Sequence, residues 1–197
     1  MTVTEKHILK QNEILEKGLE VLCANGYSNT SVNDIVKAAG IPKGSFYFYF
    51  DSKEDFSIKA LETYVNLFRD NYESIIGNDS MTAFERIEAI ISLKLDAILH
   101  HPMMQKGCYL SKLNGEMSVC NENIREAVLK QVSYFKTLMT ELVQQAIDED
   151  QIKKLEAGAL TEFIFNSLDG TLEMYKATQD PNTLFKFKKV LFSLLRK

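Results

Sequence analysis

The stretch SVNDIVKAAGIPKGSFYFYFDSKEDF, residues 31–56, decides the fold. It reads as a helix, a tight turn, a short aromatic helix and the capped start of a longer helix. Ser31 and Asp34 fit a capping box, in which the hydroxyl and the carboxylate each satisfy a backbone N–H at a helix start. Val32, Ile35, Val36 and Ala39 then fall at helical spacing and supply one apolar face. Gly40 permits a positive φ at the end of that helix, and Pro42 allows a new helix while forbidding continuation of the old one. Phe46 and Phe50, four apart, share the inward face of the second helix, leaving Lys43, Ser45, Tyr47 and Tyr49 on its other faces. This is the layout of a helix-turn-helix, whose second helix lies in the major groove of DNA.

The same run resembles the N-terminal signature of TetR-type bacterial repressors. Asp34-Ile35, Ala39-Gly40-Ile41, Gly44, Phe46-Tyr47, Tyr49-Phe50 and Ser52-Lys53-Glu54 stand in register with it. Pro42 replaces the common small polar residue, and Phe46 and Phe56 replace leucines. The resemblance covers roughly residues 8 to 60 and implies a DNA-binding head over 1–51 and a helical effector-binding and dimerisation domain over 52–197.

That resemblance assigns DNA contacts position by position. Thr30 and Ser31 begin the helix where a hydroxyl and free N–H groups meet a phosphate. Lys43 and Ser45 are the base-edge or groove candidates, and Gly44 lets the backbone approach the duplex. Tyr47 and Tyr49 look like phosphate-contacting phenols, and Lys53 like a phosphate clamp. Phe48 occupies a variable position. It either contacts a thymine methyl in the groove or packs on the domain's own surface.

Composition sets bounds rather than a function. A chain of 197 residues with 45% apolar and 25% charged residues is an ordinary globular protein able to bury a core. Lys6, His7, Lys10 and Gln11 interrupt any signal-like apolar run, and nothing approaches the length of a membrane span, so a cytoplasmic protein is expected. The net charge of −4 and the balance over residues 1–59, seven lysines and no arginine against eight acids, run against a nucleic-acid binder. The distribution softens this. Glu5, Glu13, Glu16 and Glu20 sit in the first helix, whereas Lys37, Lys43 and Lys53 accompany the motif.

Every strong period is helical, and the expectation is an all-α chain of about nine helices. Ile8, Ile14, Leu15, Gly18, Leu19, Leu22 and Cys23 stripe the first, and Phe56, Ala60, Tyr64, Leu67 and Phe68 the fourth. Later helices are expected at about 83–100, 104–118, 121–148, 154–178 and 182–195. The last two carry apolar residues on more than one side, which calls for a second partner beyond their own core and suggests a two-fold homodimer interface.

The stretch Gly107-Cys108-Tyr109-Leu110, with Leu113, Glu116 and Asn123-Ile124-Arg125, resembles the C-terminal domain of the NemR-type branch of the same family, whose members respond to electrophiles. Tyr109 stands there for a leucine and Lys112 for an asparagine. Cys108, Tyr109, Glu116, Phe135, Phe163 and Asn166 are the candidates for contacting a small-molecule effector. Lys106 and the His100-His101 pair would lower the Cys108 pKa, which makes a thiol or electrophile sensor the alternative to an effector-released repressor. Packing as a small buried hydrophobe is the simpler role for that thiol. His100, His101, Met103, Met104 and Cys108 lack any metal-ligand spacing, so neither metal nor cofactor is expected. A cysteine-dependent enzyme is a remote alternative, since no histidine and acid partners are marked for it; the chain is read as a non-enzyme.

Overall fold

The computed structural model describes residues 2–105 and 107–197, leaving out Met1 and Lys106. Among the described residues it is helical throughout: α1 (Val3–Asn25), α2 (Val32–Ala39), α3 (Lys43–Tyr49), α4 (Lys53–Ile76), α5 (Ala83–His100), α6 (Pro102–Gln105), α7 (Tyr109–Met117), α8 (Glu122–Asp148), α9 (Ala157–Thr178) and α10 (Asn182–Leu195). The one strand-like pairing there is an isolated bridge between Ile152 and Arg196.

The helix expected over 104–118 is two helices. Gly107 takes φ +103°, a left-handed backbone angle that ends α6, and α7 begins afresh with Cys108 at its N-cap. Elsewhere the termini follow from local chemistry. Capping boxes start α2 (Ser31 with Asp34) and α5 (Thr82 with Glu85), and Gly40 closes α2 at φ +64°.

Two compact units emerge. The first takes residues up to Phe68 together with Pro102–Gln131, and the second takes Arg69–His101 with Val132–Lys197, so α4 and α8 each contribute to both. In the first, Ile14, Leu19, Leu22 and Cys23 of α1 are fully buried with Ile35, Phe46 and Phe56. Gly18 permits this closeness: a β-carbon there would stand 2.4 Å from the Phe56 ring and 2.9 Å from Ile35. Phe46, Phe50 and Phe56 form a ring cluster, with Phe50 edge-on to Phe56 at 4.9 Å. Ile8 and Leu67, expected on the apolar stripes, are instead about half exposed, because they fall at the margin of each helix's buried face.

In the second unit α5 buries Ile87, Ile91 and Leu95, α8 buries Val143 and Ala146, and α9 and α10 bury Leu160, Ile164, Leu184 and Leu195. Arg86 donates to the Ile76 carbonyl at 2.7 Å, closing the end of α4. Burying these faces leaves Phe163 and Met174 of α9 and Phe185, Val190 and Leu194 of α10 each more than half exposed. Two-sided apolarity in the last two helices is therefore real.

Candidate nucleic-acid interface

The α2–turn–α3 segment is held from below by Phe46 and Phe50, which are buried, so the opposite side of α3 is what the unit presents. Lys43 and Gly44 are exposed, Tyr47 is 54% and Phe48 71% exposed, and Ser45 and Tyr49 are half-buried. Apart from its chain neighbours and its own helix backbone, nothing lies within 4 Å of where a Gly44 β-carbon would be, so the surface above it is open. A short helix with hydroxyl, phenol, ammonium and aromatic groups around a bare glycine can supply both phosphate donors and groove contacts.

Ser31 is exposed, but its N–H and hydroxyl both donate to the Asp34 carboxylate, at 2.8 and 2.6 Å. These bonds hold the Asp34 carboxyl below its ordinary pKa.

Two expected phosphate contacts are differently employed. Thr30 is 1% exposed and its hydroxyl donates to the Gly26 carbonyl at 2.6 Å. Its side chain builds the turn because the chain must reverse between α1 and α2, and a buried hydroxyl needs a partner. Lys53 donates to the carbonyls of Tyr27 and Thr30, both at 3.0 Å, with its ammonium 4.0 Å from the Tyr27 ring centroid. Its charge sits at the turn, held by carbonyls rather than projecting from the surface.

The same turn is grasped from α7. Lys112 donates to the carbonyls of Cys23 and Ala24 at the C-terminal end of α1, where a cation suits the helix dipole. Glu116 accepts the Ser28 N–H at 2.7 Å. Gly26 adopts φ +79°, ψ 176°, and a β-carbon on it would stand 2.0 Å from Glu116 Oε1. Glu54, at the start of α4, accepts from Asn121 and Asn123 at 2.6 and 2.7 Å, which depresses its pKa. Glu116, expected to orient an effector, thus belongs to the turn before α2.

The other effector candidates divide between the units. Cys108 is 4% exposed, and Tyr109 is fully buried with its hydroxyl 3.5 Å from the Ser57 carbonyl; burial pushes the Tyr109 phenol far above its ordinary pKa. Lys106, invoked as a cation beside Cys108, lies outside the described residues. Phe135 is half-buried and meets Tyr72 at 5.4 Å, whereas Phe163 and Asn166 are exposed on α9. None of the three cysteines is in a disulfide, and Cys120 is exposed. Among the described residues no three His, Cys, Asp or Glu side chains gather as a metal site would need. No helix there is long and apolar enough to cross a membrane.

Sequence reasoning missed one group. His7, on the first turns of α1, lies against two rings of α3: 5.2 Å from Phe48 at a 70° interplanar angle and 4.7 Å from Tyr49. Gln11 donates to the Tyr49 carbonyl at 3.0 Å. No local signal announces contacts spanning about forty residues.

A capped helix, a glycine-proline turn and an exposed polar-aromatic helix define a helix-turn-helix DNA-binding regulator. Residues 14–58 match the family described as "Bacterial regulatory proteins, tetR family", and residues 83–191 match the "Tetracyclin repressor-like, C-terminal domain". The chain belongs to this family of transcriptional regulators. It is 26% identical over 182 residues to the transcriptional regulator AcuR of Cereibacter sphaeroides, covering 92% of this chain and 83% of that protein. It is 28% identical over 120 residues to the repressor NemR of Escherichia coli, covering 61% of this chain and 60% of that protein. The crystal structure of a TetR regulatory protein from Rhodobacter sphaeroides superposes with a TM-score of 0.85 at 25% identity, over 95% of this chain and 99% of that one.

Proposed function

We propose that this regulator is a cytoplasmic repressor that binds a palindromic operator as a homodimer and is released by a small-molecule effector. The observation that carries the DNA reading is the exposed face of α3: Lys43, Gly44, Ser45, Tyr47, Phe48 and Tyr49 present themselves as a set while Phe46 and Phe50 are buried. Ser31 ends this face at the start of α2, where the N–H groups of Val32 and Asn33 precede the first helical hydrogen bonds and suit a phosphate. Thr30 and Lys53 shape the turn behind it. Residues 1–51 act as the head, and 52–197 hold the effector and the partner subunit.

Dimerisation is assigned to α9 and α10, whose exposed Phe163, Met174, Phe185, Val190 and Leu194 form an apolar surface beyond that of a single chain's core. Two copies place two recognition helices on half-sites one helical turn apart. The effector acts by population shift, favouring a state of the dimer whose heads no longer match both half-sites.

Selection of duplexes from a random-sequence library by purified protein at near-physiological salt tests this reading. Enrichment of one palindrome is expected. A folded, dimeric protein that enriches nothing, even at low salt, would overturn it.

A further inference from the structure

Phe48 is the most exposed aromatic side chain of α3, at 71%, yet it is not loose. Its ring meets Tyr49 edge-on at 5.1 Å and 87°, and meets His7 at 5.2 Å and 70°. His7 in turn lies on Tyr49 at 4.7 Å, so three rings from two helices hold one another. The Gln11 bond to the Tyr49 carbonyl fixes the end of α3 under them. Packing a ring on its flank while leaving its outer face open costs water contact and gives the fold little buried area in return. What it does provide is an apolar group held by two ring contacts on the side away from the core, which lowers the side-chain entropy left to lose on binding.

The major groove offers one apolar group for such a ring, the thymine C5-methyl. Resting on the DNA-binding reading above, we propose that Phe48 is a specificity-determining residue that reads one thymine methyl in each half-site. His7 is the positioning residue that holds Phe48 in place through the ring contact. Lys43, Ser45 and the phenols supply polar contacts; Phe48 supplies the discrimination that hydrogen bonds to that base do not. The neighbouring cations Lys6 and Lys10 are not needed for this step, which is neutral.

The test uses the full chain and its selected operator, with each thymine replaced in turn by deoxyuridine, which deletes only the methyl. The wild-type protein is expected to lose about fourfold in affinity at one thymine per half-site, the worth of roughly one buried methyl group. In Phe48→Ala that position becomes indifferent to the methyl. In His7→Ala the methyl dependence at that position shrinks while other positions keep theirs, and His7→Phe, which retains a flat ring, restores it. A purely structural role for His7 would lower affinity for both duplexes alike and leave their ratio unchanged. Indifference to every deoxyuridine, a half-site lacking thymine there, or methyl dependence that survives Phe48→Ala would each overturn the proposal while leaving the DNA-binding reading intact. A protein that selects no operator would overturn both.

Discussion

Glu116 and Ser28, 88 residues apart in sequence, are joined by a 2.7 Å hydrogen bond from backbone N–H to carboxylate. With Lys112 on the last carbonyls of α1, this bond makes α7 the clasp of the α1–α2 turn. Replacing Glu116 by Ala is expected to loosen the turn, weaken operator binding severalfold and lower unfolding stability by about 1 kcal/mol, the ordinary worth of one such bond. Glu116→Gln keeps an acceptor oxygen and is expected to retain most of both. Denaturant unfolding and operator titration on the two variants read the difference.

Gly26 sits at φ +79°, ψ 176°, a region open essentially to glycine alone, with Glu116 against it. Gly26→Ala is expected to cost about 1–3 kcal/mol by backbone strain. Combining it with Glu116→Ala relieves the clash but not the strain, so most of the loss should persist in a chemical denaturation series.

Burial holds the Tyr109 phenol above its ordinary value of 10.0 against a smaller opposing effect of the Ser57 side chain. The unfolded chain gives up that proton near pH 10 while the folded chain keeps it, so this share of stability is complete below about pH 10 and is lost as pH rises further. Tyr109→Phe, which sacrifices only a 3.5 Å contact, should show a shallower alkaline decline in unfolding free energy. An unchanged decline would place the effect on other tyrosines.

The acid side has the opposite sign. Ser31 lowers the Asp34 pKa, Thr82 that of Glu85, and Asn121 with Asn123 that of Glu54. Each of these contributes stability present above the ordinary carboxylate range and lost as pH falls through the depressed value. Ser31→Ala and Thr82→Ala are therefore expected to lower the unfolding midpoint at neutral pH and to flatten its fall below about pH 5.

Phe163→Glu in α9 together with Leu194→Glu in α10 places charge on side chains that are about half exposed in the single chain. Sedimentation should then find monomers that keep their helical circular dichroism and bind a half-site weakly. Dimers persisting at the wild-type concentration range would move the interface away from these helices.

Much of this fold is legible locally. The bounds expected for the fifth and last helices, Ala83–His100 and Asn182–Leu195, are those found, because the apolar period agrees with a capping box in the fifth and with a proline just before the start of the last. The recognition motif is legible for the same reason. The break at Gly107 is not, since a glycine within a helical period is tolerated as often as it terminates. Nor are the employments of Thr30, Lys53, Lys112 and Glu116, whose partners are backbone atoms at the end of α1 and in the turn after it. Sequence shows side-chain types; it does not show which carbonyls a lysine will find.

Lys53, held by the carbonyls of Tyr27 and Thr30, and the net charge of −4 bear together on how this protein travels. A binder that displaces few counterions adheres feebly to arbitrary sequence and has little to gain from sliding. Its search for an operator is then expected to run through free diffusion more than along the duplex, and its affinity to fall less steeply with salt than that of a basic head.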